Sequence, residues 1–140
     1  MQSYQFWLSP AVHPVYARLV YAELLRQGLS SEQIQADSPL DWDALLHSNH
    51  FLIMSSLQSL LASAIRLSGC PWLGFAVGMH TDVSAHGPAG YAAVTANTIG
   101  EAIGLTEHYS SLRQHLGAFR WERKQPPVLV LDESRMPAAI

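Results

Sequence analysis

The stretch HGPAGYAAVTANTIGEA, residues 86–102, decides how the rest of the chain is read. Its first half is glycine, alanine, proline and one tyrosine, a composition that lets two backbones approach closely because little side chain stands between them. Pro88 suits a first helical turn, where its missing N–H would have had no intrahelical partner, and predicts a small-residue helix through Ala96. Thr98, with Glu101 three residues on, matches a capping box and restarts the chain as a longer helix. The segment holds no nucleophile with a partnered base, no glycine-rich phosphate loop and no ligand set for a metal. It is a packing and turning device.

Working outward, Ile99, Ala102, Ile103, Leu105, Tyr109, Leu112 and Leu116 mark the inner face of one continuous helix that Gly117 ends. Beyond it, Ala118 to Arg123 alternates aromatic and charged residues, Gln125-Pro126-Pro127 makes a turn, and Val128 to Leu131 is strand-like, which predicts a short antiparallel strand pair. Upstream, Trp72 to Met79 (WLGFAVGM) is apolar on nearly every side, and Gly74 and Gly78 predict a short buried helix crossed closely by a neighbour. Leu57, Leu60, Leu61, Ala64, Ile65 and Leu67 form a helical stripe ending at Gly69, the main core helix. Phe51 to Met54 is too short to tell strand from buried helix. Asp41 caps a helix over Trp42 to His47, and Ser30 with Gln33 forms a capping box for one around Glu32 to Gln35, which Ser38 and Pro39 end. Pro14 opens a helix in which Val12, Tyr16, Val20 and Leu24 recur every four residues up to Gly28. The fold class is therefore α+β, mostly helical, with the strand pair near the C-terminus.

The 140 residues are one domain's length, and 49% hydrophobic residues suffice for a single continuous core. Charged residues are 14% of the chain and the formal net charge is -3, so there is no basic field to hold a polyanion. The single cysteine, Cys70, excludes an internal disulfide and reads as a small core residue, which suits a reducing cytoplasm. MQSYQFWLSP has neither the basic cluster nor the apolar run of a signal peptide, and no segment approaches the length of a membrane span.

Seven histidines raise the question of a metal. His47 and His50 have one-turn spacing, yet no cysteine or carboxylate completes a set, and both read as polar surface positions. Catalytic frames are missing as well: there is no G-x-S-x-G elbow, no G-x-G-x-x-G and no P-loop. A helix-turn-helix over Thr98 to Leu116, with its turn at Gly104-Leu105, is an alternative that the composition disfavours, because the stretch offers Arg113 alone against Glu101 and Glu107. In the terminal strands Arg120 and Trp121 offer a carboxylate clamp and an apolar plate for one wall of a pocket, against the plainer reading of a strand with one buried and one wet face.

The order of these features resembles a known family. IRLSGCPWLGFAVGM (Ile65 to Met79) followed by HGPAGYAAVTANTIGEAIGLTEHYSSL (His86 to Leu112) is similar to the N-terminal sensor region of AraC-type transcriptional regulators, in the branch named for an arabinose-binding-like domain. The matching pieces are Leu73-Gly74 and Gly78 after Pro71, the turn at Gly87, Gly90 and Tyr91, and the helix start Thr98-Ile99-Gly100-Glu101-Ala102. The resemblance implies a cytoplasmic regulator whose N-terminal part binds a small effector or dimerises while a separate C-terminal pair of helix-turn-helix units holds DNA. On that pattern the chain is expected to be a single truncated sensor or dimerisation domain, a homodimer that meets DNA only through a part not in this sequence. It is expected to be no enzyme and to need no cofactor, metal or membrane. Its expected pocket residues are Trp72, His86, Tyr91, Arg120 and Trp121. A self-association fragment joined through Val128 to Leu131 is the second reading, and direct DNA binding the third.

Overall fold

A computed structural model describes residues 2–38 and 40–134, with side chains from residue 5 onward. The chain divides into two compact units, Met1–Thr81 and Asp82–Ile140.

The first unit runs α1 (Gln2–Trp7), β1 (Pro10–Val12), α2 (Val15–Arg26), α3 (Ser31–Asp37), α4 (Trp42–His47), β2 (Leu52–Ile53), α5 (Met54–Ser68) and α6 (Leu73–Met79). Its helix starts follow the local chemistry. Ser30 and Gln33 form the reciprocal capping box of α3, and the Asp41 carboxylate accepts the Ala44 N–H at 3.1 Å at the head of α4. Pro39, expected to help end α3, lies outside the described residues. Gly69 closes α5 in the left-handed conformation at φ 60°, as a C-terminal glycine should.

The apolar stripe of α5 puts Leu57, Leu60 and Ala64 in the core beside Leu24, Ile34, Trp42, Met54 and Leu73. Two features differ from the sequence reading. Val12 belongs to β1, not to the helix after Pro14, and pairs with Leu52 in a two-stranded antiparallel ladder that resolves the Phe51 to Met54 run into β2 and the start of α5. The second concerns α6, which is no buried helix: Leu73 goes inward, but Trp72, Phe75 and Met79 are 75%, 78% and 76% exposed. Among the described residues nothing outside the helix itself lies within 4 Å of where a Cβ on Gly74 or Gly78 would stand, so the close crossing expected there is not seen within the first unit. α6 leaves α5 at 93°, and Leu73, at its start, is the residue it buries.

The second unit consists of a 3-10 turn (Val83–His86), α7 (Pro88–Val94), α8 (Ile99–Tyr109), a 3-10 turn (Ser110–Leu112), β3 (Ala118–Glu122) and β4 (Val128–Asp132). Thr98 caps α8 by accepting the Glu101 N–H at 3.1 Å, while the Glu101 carboxylate reaches the Asn97 N–H at 2.9 Å, one residue beyond the reciprocal box. The helix runs unbroken through Gly104 and Leu105 but stops at Tyr109, short of Leu116. There the Ser110 hydroxyl donates to the Glu107 carbonyl and the Gln114 side chain takes the N–H groups of Leu116 and Gly117, local bonds that compete with further helix. The expected inner face is at most half-buried: Ile99 is 80% exposed, and Ala102, Ile103 and Leu105 are half-buried. Burial in this unit is confined, among the described residues, to Gly87, Ala89 and Gly90.

β3 and β4 pair antiparallel as expected, in the register Ala118 with Asp132, Phe119 with Leu131, Arg120 with Val130, Trp121 with Leu129 and Glu122 with Val128. Among the described residues no single helix is long and apolar enough to cross a membrane.

Candidate functional site

The glycine turn is built by close approach. Gly87 sits at φ 59°, ψ -140°, a conformation that essentially only glycine adopts, and the Arg113 guanidinium occupies the space where a Cβ would stand. Gly90, one turn into α7, faces the Val83 carbonyl oxygen and the His86 Cβ so tightly that any side chain would collide with backbone. These contacts explain why the stretch is so rich in small residues. They place His86, half-buried, at the hinge of the turn and leave Tyr91 exposed on α7.

The strand pair follows the two-residue alternation of side chains. Phe119, Trp121, Leu129 and Leu131 share one face and Arg120, Glu122 and Val130 the other. Arg120 and Trp121, expected as clamp and plate of one wall, thus project from opposite faces. Trp121 is half-buried, with its indole nitrogen 3.8 Å from where a Cβ on Gly100 would stand, and its backbone N–H donates to the Glu107 carboxylate at 3.0 Å, tying β3 to α8. Arg120 is exposed. Trp72 belongs to the first unit, at the head of α6.

A hollow of about 210 Å³ lies beside Phe119 and Leu131, where the hairpin opens. The turn residues Gln114, Leu116 and Gly117 with Ala118 close one side, and Asp132 and Glu133 complete the lining. The Gln114 side chain is held at both amide atoms: its nitrogen donates to the Gly117 carbonyl at 2.9 Å and its oxygen accepts from Leu116 and Gly117 at 2.7 and 3.1 Å. Gly117 presses on β4, its missing Cβ being 2.5 Å from the Asp132 carbonyl oxygen. The wall is therefore held in shape before anything binds. Sequence reading missed these residues except through one signal, the alternation that puts Phe119 and Trp121 on the same face. Among the described residues the lining is mostly apolar, with Asp132 and Glu133 as its ionisable members.

Elsewhere the titratable groups serve structure. His47 Nδ1 lies 2.9 Å from the Asp43 carbonyl oxygen, and among the described residues no three metal-ligating side chains gather. Glu23 is 3% exposed, and its carboxylate accepts the Gln27 amide at 3.0 Å, the Arg26 guanidinium and His80 Nδ1 at 3.1 Å, joining α2 to the end of α6. His80 Nδ1 is also 3.1 Å from the Ala76 carbonyl oxygen, so with two acceptors facing it this nitrogen carries the proton.

The comparison with protein families now bears on this geometry. The model of the arabinose-binding domain of AraC transcription regulator, N-terminal, matches residues 28–139. The chain belongs to that family. No curated protein and no solved structure matches it in the same comparisons. The arabinose-binding domain is a regulatory, ligand-binding region of transcription regulators and not an enzyme family, and the match runs from the end of α2 through both strands of the hairpin. As an N-terminal arabinose-binding domain, the chain is placed in transcription regulation of the AraC type, with a small molecule as the implied effector.

Proposed function

We propose that this arabinose-binding domain is the effector-sensing module of an AraC-type regulator that works in the cytoplasm, and that a helix-turn-helix region outside residues 1–140 reads the DNA. The observation that carries this reading is the family match over residues 28–139. The mechanism is a population shift: an effector that prefers one arrangement of the helices and the hairpin raises its share, and the DNA-reading part responds to that share. His86, Tyr91 and Trp121, which are not among the residues lining the hollow beside Phe119 and Leu131, are the effector-contact candidates of the second unit. Arg120, on the other face of β3, is the remaining candidate of the second unit, and Trp72 is the candidate of the first unit.

A thermal-shift screen across sugars, amino acids and fatty acids tests the proposal. A ligand present at a hundred times its Kd stabilises by about 2.7 kcal/mol, enough to raise Tm by several degrees. A panel with no stabilised member contradicts effector sensing.

A second reading, homodimerisation, is favoured by β4. Val128, Leu129 and Leu131 are 41%, 46% and 56% exposed, and among the described residues the strand is paired on one side only. The two readings are compatible, since a sensor that dimerises can report its ligand through the spacing of its copies.

A further inference from the structure

We propose that ordered water is bound inside the first unit, in the seam between α2 and α4, where it accepts hydrogen bonds from the Trp42 indole N–H and the Arg18 Nε–H. Few side chains build this seam. Trp42, the first residue of α4, is 4% exposed, and its ring packs on Tyr21 of α2 with centroids 4.8 Å apart and planes tilted by 44°. Arg18, one turn before Tyr21, crosses to the other end of α4 and donates from Nη2 to the Ser48 carbonyl at 2.7 Å. A helix as short as α4 does not hold itself in water, so it depends on what α2 offers it.

Two nitrogens in the seam are closed off from solvent and meet no acceptor among the described residues: the Trp42 indole nitrogen and Arg18 Nε. Both can only donate, and a buried donor left bare is costly enough that folded proteins almost always pair it. At the two ends of α4 the Asp41 carboxylate serves the Ala44 N–H and the Ser48 carbonyl serves Arg18 Nη2, not these two atoms. The acceptor therefore comes from outside the chain. Water brings two lone pairs in the smallest volume, and its own hydrogens can go on to backbone carbonyls. An anion would have to give up its hydration to enter a closed seam beside a buried indole. Arg18 does not call for one either, since it is only half-buried and keeps part of its length in solvent. The site is independent of effector sensing.

The test is NMR of the whole chain labelled with nitrogen-15. The four tryptophans give four indole signals, and the one that survives Trp7→Phe, Trp72→Phe and Trp121→Phe in turn belongs to Trp42. The expected result is that the Trp42 indole proton and the Arg18 Nε proton both show cross-peaks with water, of opposite sign in NOE and ROE spectra, as a bound molecule gives. Both should keep their shifts when chloride in the buffer is exchanged for glutamate. Hydroxyl protons in exchange with water can imitate such cross-peaks, so the spectra are repeated on Tyr21→Phe and Ser48→Ala, where the cross-peaks should persist. A cross-peak that is missing or of equal sign at either proton overturns the proposal, and so does one lost with the hydroxyls. A saturable shift on adding chloride or bromide overturns it as well, because the acceptor would then be an anion.

Discussion

At the scale of single residues, the glycines divide into two classes that the sequence alone does not separate. Gly87 combines φ 59° and ψ -140° with the Arg113 side chain lying over it, whereas Gly78, inside α6, has nothing beyond its own helix within 4 Å of its missing Cβ among the described residues. The same substitution therefore has opposite signs. Gly87→Ala forces a Cβ into a strained backbone region and should cost about 1–3 kcal/mol, even after the flexible Arg113 head moves aside. Gly78→Ala should stabilise by about 0.5–1 kcal/mol, because alanine loses less backbone entropy in a helix and meets no obstacle. Urea unfolding of both variants, followed by circular dichroism, checks the pair, and shifts of equal sign would contradict the geometry. Both glycines belong to the segments by which the sequence resembles its family, yet of the two only Gly87 is demanded by its backbone conformation.

Among the elements, α6 sends Leu73 alone into the core, and one carboxylate fastens its end. The Gln27 amide, followed by the Arg26 guanidinium and His80, holds the Glu23 carboxyl below its ordinary 4.5, while burial pushes the other way. Its folded-state pKa is thus lower than its unfolded one, so the stabilisation is present above about pH 4.5 and drains away as the pH falls through the folded value. Asp37 behaves alike below its ordinary 3.8, through Ser63 and then Arg66 on α5. Glu23→Gln should cost about 1.5–3 kcal/mol at neutral pH, the worth of hydrogen bonds to a charged group, and the variant's Tm should fall less steeply than the wild type's between pH 5 and about pH 3. An acid limb identical in the two proteins would show that the α2 to α6 link does not titrate. A further expectation concerns α8. Because it passes Gly104 and Leu105 without a turn, and because Glu101 and Glu107 precede its only nearby arginine, Arg113, a gel shift at low salt should show no retardation of duplex DNA; retardation that fades as salt rises would revive that role. Element starts were legible in the sequence because a cap is a local bond: Ser30, Asp41 and Thr98 each announced a helix that the structure contains. Burial was not legible, because it depends on which partner arrives. Trp72, Phe75 and Met79 look like core by hydrophobicity and end up exposed, and the hollow beside Phe119 and Leu131 exists only through a register that joins residues twelve apart.

For the whole molecule, the question is what lies along the outer edge of β4. The hydrogen bond from the Trp121 N–H to Glu107 fixes the answer's geometry, since an N–H that leaves the sheet marks the Trp121 and Leu129 pair as the one without mutual backbone bonds. Leu129 and Leu131 therefore turn their own N–H groups away from β3, while β3's matching edge is covered by α8 through Glu107. The two edges differ in protection as well. β3 alternates Arg120 and Glu122 with its aromatics, but β4 reads Val128-Leu129-Val130-Leu131 with no lysine, proline or bulge to discourage another strand. A two-stranded sheet is marginal alone, and pairing β4 with β4 of a second copy would make four strands with a two-fold axis, satisfying outward N–H and C=O groups in both chains. Sedimentation equilibrium should then find a dimer at micromolar concentration. Leu129→Pro removes an N–H that β3 does not use, so it should yield monomers while the β3 to β4 ladder persists; Val128→Lys should weaken the dimer through like charges without touching the backbone. A wild-type chain that stays monomeric at high concentration, or a Leu129→Pro dimer as tight as the wild type, would place the interface elsewhere and leave effector sensing to stand without it.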